Sequence, residues 1–190
     1  MKKLSKKNQK IIIAAVVAVV VAAAVIALIV RLTHGTNATA KTAANAAFDA
    51  IYSGDYEHFV TATVYNSDCQ DALGLDQTGF LLNEIKPEFE TMAAEMKEAD
   101  MRYRRKASRA TEYEPGSDGF ARGCTMMLTA YPETATDRIE RFASVDIAFR
   151  WSYKDEDGKS VSGEDSDTMW CVRIDGKWYA VPTLTLSDEE

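Results

Sequence analysis

Residues 170–182 read WCVRIDGKWYAVP, two short apolar segments joined by Asp175-Gly176. An Asp-Gly pair in that setting predicts a two-residue β-hairpin, because the favoured turn needs positive φ at both central positions. The turn length then fixes the register, so that 173 faces 178, 172 faces 179 and 170 faces 181. Trp170, Val172, Tyr179 and Val181 fall on one face of this hairpin, and Met169, Cys171, Arg173 and Trp178 on the other.

The two-residue period continues upstream. Val145, Ile147, Phe149, Trp151 and Tyr153 alternate with Ser144, Asp146, Ala148, Arg150 and Ser152, which predicts a strand over 141–153 with one buried face. Similar signals predict strands over 101–113, 121–131, 167–174 and 177–183. Before residue 101 the period is helical: Ala44, Ala47, Phe48 and Ile51 form one stripe, Gly54 stops that helix, and Asp55 caps a second carrying Tyr56, Phe59 and Val60 on one side. A third helical region covers 78–99, where Pro87 lacks a donor and should kink or restart the helix. Helices followed by an antiparallel meander make the fold class α+β.

At the chain start, residues 11–30 contain only Ile, Val, Ala and Leu. At about 1.5 Å per residue such a helix spans the roughly 30 Å hydrocarbon core, and it exceeds the about 7 to 15 apolar residues of a cleaved signal peptide. An uncleaved transmembrane helix, a single-pass signal anchor, is expected over 11–31. Five lysines precede it and Arg31 follows, so the N-terminus is expected in the cytoplasm and the rest outside, at the cell membrane. The expected organisation is a basic tail 1–10, the anchor 11–31, a tether 32–41, one domain 42–186 and an acidic tail 187–190.

Six of the 22 basic residues lie in residues 1–34, which hold no acid, so 16 face 29 acids in the remainder and leave it at a formal −13. That field repels phosphate backbones, and no nucleic-acid partner is expected. The membrane, through the anchor, and an unknown protein or small molecule are the expected partners.

The segment AANAAFDAIYSGDYEHF (43–59) and the segment WCVRIDGKWYAVP (170–182) together resemble the opening helix pair and the closing hairpin of NTF2-like domains of the cystatin-like fold. The resemblance implies a cone of about three helices on a curved antiparallel sheet. It also implies a choice among non-catalytic exported modules, assembly components of conjugation or secretion machines, and small enzymes of the isomerase or dehydratase type. Fold by itself does not choose between these.

An enzyme of that type needs an acid or a histidine aimed into the cone. Asp146 lies opposite the buried face, His58 lies off the apolar stripe of its helix, and His34 belongs to the tether, so no catalytic residue, metal site or cofactor is expected. Asp155-Glu156-Asp157-Gly158 with Glu164 approaches a calcium-loop pattern, but Tyr153 occupies its first position, and a solvated hairpin tip is the preferred reading.

Two groups are candidates for partner binding. Arg102, Arg104, Arg105, Lys106 and Arg109 form the one basic cluster in the acidic domain, with Arg102, Arg104 and Lys106 pointing away from Arg105 and Arg109 if the strand is regular; a charge-guarded edge strand is the preferred reading and a site for an anion or acidic partner the alternative. Met169, Arg173 and Trp178 share a face that is neither plainly apolar nor polar, a candidate contact surface through which the domain could form a homo-oligomer. Export permits disulfides, and Cys124, sharing a strand face with Met126 and Leu128, pairs most plausibly with Cys69; three reduced small core residues are the alternative. The expected function is a non-catalytic extracytoplasmic binding or protein-interaction module.

Overall fold

The structure is a computed structural model that describes residues 37–182 apart from Gln77 and Glu156. The basic tail, the anchor, residues 32–36 of the tether, residue 183 of the last expected strand, the end of the expected domain and the acidic tail lie outside the described residues. Among those described, no helix is long and apolar enough to cross a membrane.

Over the described residues the fold is α+β, with five α-helices of seven residues or more and a four-stranded antiparallel sheet whose strands lie side by side in chain order. Helix α1 (Ala40–Ser53) begins at a capping box between Thr39 and Thr42 and ends at Gly54, whose φ of 71° suits glycine. Asp55 caps α2 (Tyr56–Ala62) by accepting from the His58 amide, and Asn66 caps α3 (Ser67–Leu73) in the same way from Asp68. A single turn (Thr78–Phe80) and a π-helical segment (Leu81–Ile85) lead to α4 (Lys86–Glu98), which restarts where Pro87 occupies the first turn. Then come β1 (Arg102–Tyr113), α5 (Asp118–Ala130), β2 (Arg141–Lys154), β3 (Ser160–Ile174) and β4 (Lys177–Val181). The β3–β4 turn has positive φ at both Asp175 and Gly176, and the pairs 173 with 178, 172 with 179 and 170 with 181 form as the sequence predicts.

Residues 118–130 are helical, and the strand expected over 121–131 does not form. Ser117 caps the helix, and Gly119, Gly123 and Met127, four residues apart, are its buried positions. The alternation of Cys124, Met126 and Leu128 is coincidental: Leu128 is 42% exposed. Gly123 is small because Phe142 lies beneath it. A Cβ there would overlap the Phe142 ring, and one at Gly119 would overlap the Tyr113 ring.

Both faces of the sheet are covered at its β4 end. On one side Ala143, Val145, Ile147, Phe149, Met169, Cys171, Trp178 and Ala180 pack under the alanine stripe and Phe48 of α1. On the other, Phe142, Val172, Ile174, Tyr179 and Val181 pack with Phe59, Tyr65, Cys69, Leu73, Phe89, Met127 and Tyr131. Burial of each large side chain is worth about 1.5–3 kcal/mol, and the alanines let α1 lie close to the strands.

Gly123→Ala separates helix propensity from packing. In an exposed helix the change stabilises by about 1 kcal/mol; here urea denaturation is expected to show a loss of about 1–3 kcal/mol, because the methyl group meets the Phe142 ring.

Candidate functional site

β3 and β4 differ greatly in length, 15 residues against five. β4 ends at Val181, opposite Trp170, and Pro182, which has no amide hydrogen, follows. β3 from 160 to 169 therefore has β2 on one side and, among the described residues, no strand on the other. Beside the start of this open edge lies an apolar pocket of about 320 Å³. Ile51 of α1, Phe59 of α2, Ile85, Phe89 and Met92 of the π-helical segment and α4, and Met169 and Val181 of the sheet form its wall. Glu88, Asp167 and Thr168 form its rim. Restarting the helix at Pro87 places Ile85 and Phe89 one turn apart on the same side.

Met169 and Trp178 are 8% and 3% exposed beneath α1, so the expected contact surface is interior. The sequence reading failed there because it assigned a single core to a sheet that has two. Arg173 lies opposite Trp178 in register and forms an ion pair with Glu140, Nε to Oε2 at 3.2 Å. Met169 is the one member of that group to reach the pocket wall.

The basic cluster is largely neutralised at short range. Arg102 donates from Nη2 to Asp100 at 3.0 Å, Arg105 makes a bidentate contact with Asp49 at 2.7 and 3.2 Å, and Lys106 reaches Glu164 at 2.6 Å. Arg104 is exposed opposite Arg150. A bulge between Arg105 and Ala107 absorbs Lys106 and shifts the phase of the strand. Arg109, opposite Asp146, thus joins Arg102 and Arg104 instead of Arg105, a correction to the regular-strand reading.

Glu164 also accepts from Arg150 at 2.6 Å, and Lys106 together with Arg150 pulls its carboxyl down to about 2. Asp146 is exposed and accepts from Thr168 Oγ1 at 2.9 Å, facing outward as expected. Asp155 holds a hairpin tip by accepting from the Lys159 amide at 2.8 Å. Among the described residues no three His, Cys, Asp or Glu side chains converge on a metal-holding position.

All three cysteines are free thiols: Cys69 and Cys171 are buried and Cys124 is half-buried on α5. The strand face on which the Cys69 to Cys124 pairing rests does not exist. Burial pushes all three thiols up, Cys69 and Cys171 furthest. Tyr52, packed against Tyr103 at a centroid distance of 3.7 Å, is pushed up to about 12 by burial first and by neighbouring Tyr103, Asp167 and Asp165 next.

Glu88, Asp167 and the open β3 edge escape the sequence reading. The strand predicted over 167–174 begins earlier, at Ser160: SVSGEDS (160–166) has the composition of a loop, and only its pairing to β2 makes it a strand. Compared with protein-family models and with curated proteins, the chain matches none.

Thiol labelling of the native chain is expected to modify Cys124 first, with Cys69 and Cys171 reacting only on unfolding; a single reactive thiol at Cys171 would instead identify a bond between the other two. The Glu164 contacts stabilise the fold fully above the ordinary carboxylate range and lose that contribution as pH falls through about 2, because the folded-state value is the depressed one. The melting-temperature gap between the wild type and Glu164→Gln is therefore expected to be widest above about pH 5 and to close towards pH 2.

Proposed function

We propose that the chain is a membrane-anchored, extracytoplasmic binding module of the NTF2-like type, non-catalytic, whose recognition site is the pocket between α1, α2, α4, the middle of β3 and the end of β4. The observation that carries this reading is the pocket itself: an apolar wall drawn from three helices and two strands, with its carboxylates at the rim. Such a site retains a ligand by excluding water and orients it by a few polar groups. A general acid or base is tuned by burial or by a charged neighbour, whereas Glu88 and Asp167 stand exposed.

The NTF2-like assignment is supported by the helix pair meeting at Gly54 and Asp55 and by the hairpin closing on Asp175 and Gly176. The anchor is supported by the uncharged residues 11–30 and by the lysines before them. An acidic domain outside the membrane avoids adsorption to anionic headgroups and leaves the pocket free for a partner.

N-phenyl-1-naphthylamine, a neutral apolar fluorophore, is expected to bind the full-length chain at one saturable site. Met92→Trp, which fills the pocket, should weaken that binding by about tenfold or more; equal binding to both chains would overturn the site. The chain is also expected to stay with membranes through alkaline extraction, and a freely soluble form beginning near Lys41 would overturn the anchor.

A further inference from the structure

The face of the sheet turned away from α1 is covered by helices at one end, over Phe142, Val172 and Ile174. Farther along, Arg104, Arg109, Asp146, Arg150 and Glu164 stand exposed on that same face. Arg104 and Arg150 face each other directly across β1 and β2. Like charges at opposed positions are destabilising. Edge protection accounts for a cation on β1, but Arg150 belongs to a strand paired on both sides, where no edge needs guarding.

The carboxylates on this face do not balance its cations. Glu164 answers two of them through one oxygen, with Lys106 Nζ and Arg150 Nη2 each 2.6 Å from Oε1. Arg109 lies opposite Asp146, whose Oδ1 accepts from Thr168 Oγ1 instead. Among the described residues neither Arg104 nor Arg109 forms an ion pair. Arg104, Lys106, Arg109 and Arg150 thus stand against Glu164 and Asp146, four cations against two acids, in a domain that is acidic overall. Between the Arg104–Arg150 row and the Arg109–Asp146 row the floor is small, made by Ala107, Ala148 and Ser166, which pair across the three strands. Four residues along a strand separate the rows by about 14 Å at about 3.4 Å per residue, a gap that arginines leaning inward from both rows can close.

We infer that this face is a binding site for a compact phosphate-type dianion, held above Ala148 by the guanidinium groups of Arg104, Arg109 and Arg150 and the ammonium group of Lys106. It is a second site and does not depend on the reading of the pocket. A phosphate monoester carries about −1.5 to −2 charges at pH 7, which matches the excess of two cations. Guanidinium forks meet its oxygens in pairs, and a bidentate fit of that kind is stronger than a point contact. The charge of the rest of the domain sets the size of the ligand. A long polyanion would run off the patch onto acidic surface and be repelled there, whereas a compact anion keeps its charge within the Debye length of about 8–10 Å of the four cations.

The test titrates the full-length chain in a neutral detergent with inorganic phosphate and with phenyl phosphate, followed by phosphorus NMR. One saturable site is expected, its affinity rising several-fold from about pH 5.5 to 7.5 as the second proton leaves the ligand. Sulfate, a dianion throughout, should compete without that rise. Arg104→Gln with Arg109→Gln should weaken binding about tenfold or more while the melting temperature holds or increases, because a like-charge pair is relieved. Glu164→Gln should tighten binding several-fold by releasing Lys106 and Arg150. Tighter binding of phenyl phosphate would identify a monoester as the ligand and equal binding free phosphate, and either supports the site. Binding that does not saturate, or that ignores the two arginine substitutions, would overturn it. Tighter binding of an oligoglutamate would overturn it by assigning the face to an extended acidic partner, and a crosslink from residues 183–190 to β1 that phosphate does not displace would overturn it by assigning the face to the chain's own acids. Met92→Trp should leave phosphate binding unchanged, so the outcome here and the outcome at the pocket are read separately.

Discussion

The sheet is sandwiched over only part of its length, and this constraint governs the rest of the domain. Where β4 is present, alternate residues of β2 and β3 enter different cores, Val145, Met169 and Cys171 under α1 and Phe142, Val172 and Ile174 under the other helices. A strand buried on both faces needs apolar residues at successive positions, and MWCVRI (169–174) supplies them. Farther along, β3 becomes SVSGEDSDT, which cannot enter a core, and the covering stops. The pocket lies where the two regimes meet, because α4 follows the apolar part while β3 continues past it.

Close approach on both sides is what allows so short a doubly covered region to hold. Ala43, Ala44 and Ala47 are fully buried against the strands, and Gly119 and Gly123 sit on Tyr113 and Phe142. Small residues on the helices thus receive aromatic residues from the sheet, in the close-packed manner of protein interiors. Trp151 does the same for the exposed part, lying over Gly163 on the neighbouring strand, so that the open end of β3 is held flat against β2 without a helix above it.

Periodicity in the sequence specified the elements whose environment is one-sided. The α1 stripe, the Gly54 and Asp55 corner, β2 and the Asp175-Gly176 hairpin could each be read from spacing and turn chemistry. Three features could not. Residues 118–130 alternate by chance at Cys124, Met126 and Leu128, and of the three buried helical positions, Gly119, Gly123 and Met127, two are glycines, which carry no hydropathy signal. The second core is invisible to a reading that gives each strand one buried face, so Met169 and Trp178 looked like a surface. The open edge is a property of pairing, since nothing local in residues 160–166 requires a strand.

Charge follows the same division. Along β1 Arg105 is answered by Asp49, Arg102 by Asp100 and Lys106 by Glu164, while Arg104 and Arg109 stand exposed with no ion pair among the described residues. Such pairs contribute little stability individually, and their effect is to spend the positive charge locally. The acids of β3 on the α1 side have no such answer. Because the domain as a whole is acidic, the field at this edge favours a cation over an anion. The bulge at Lys106 disrupts the β1 edge and at the same time carries a cation across to Glu164 on the neighbouring part of the sheet, so that one irregularity both guards the edge and answers a carboxylate that Arg150 alone would hold.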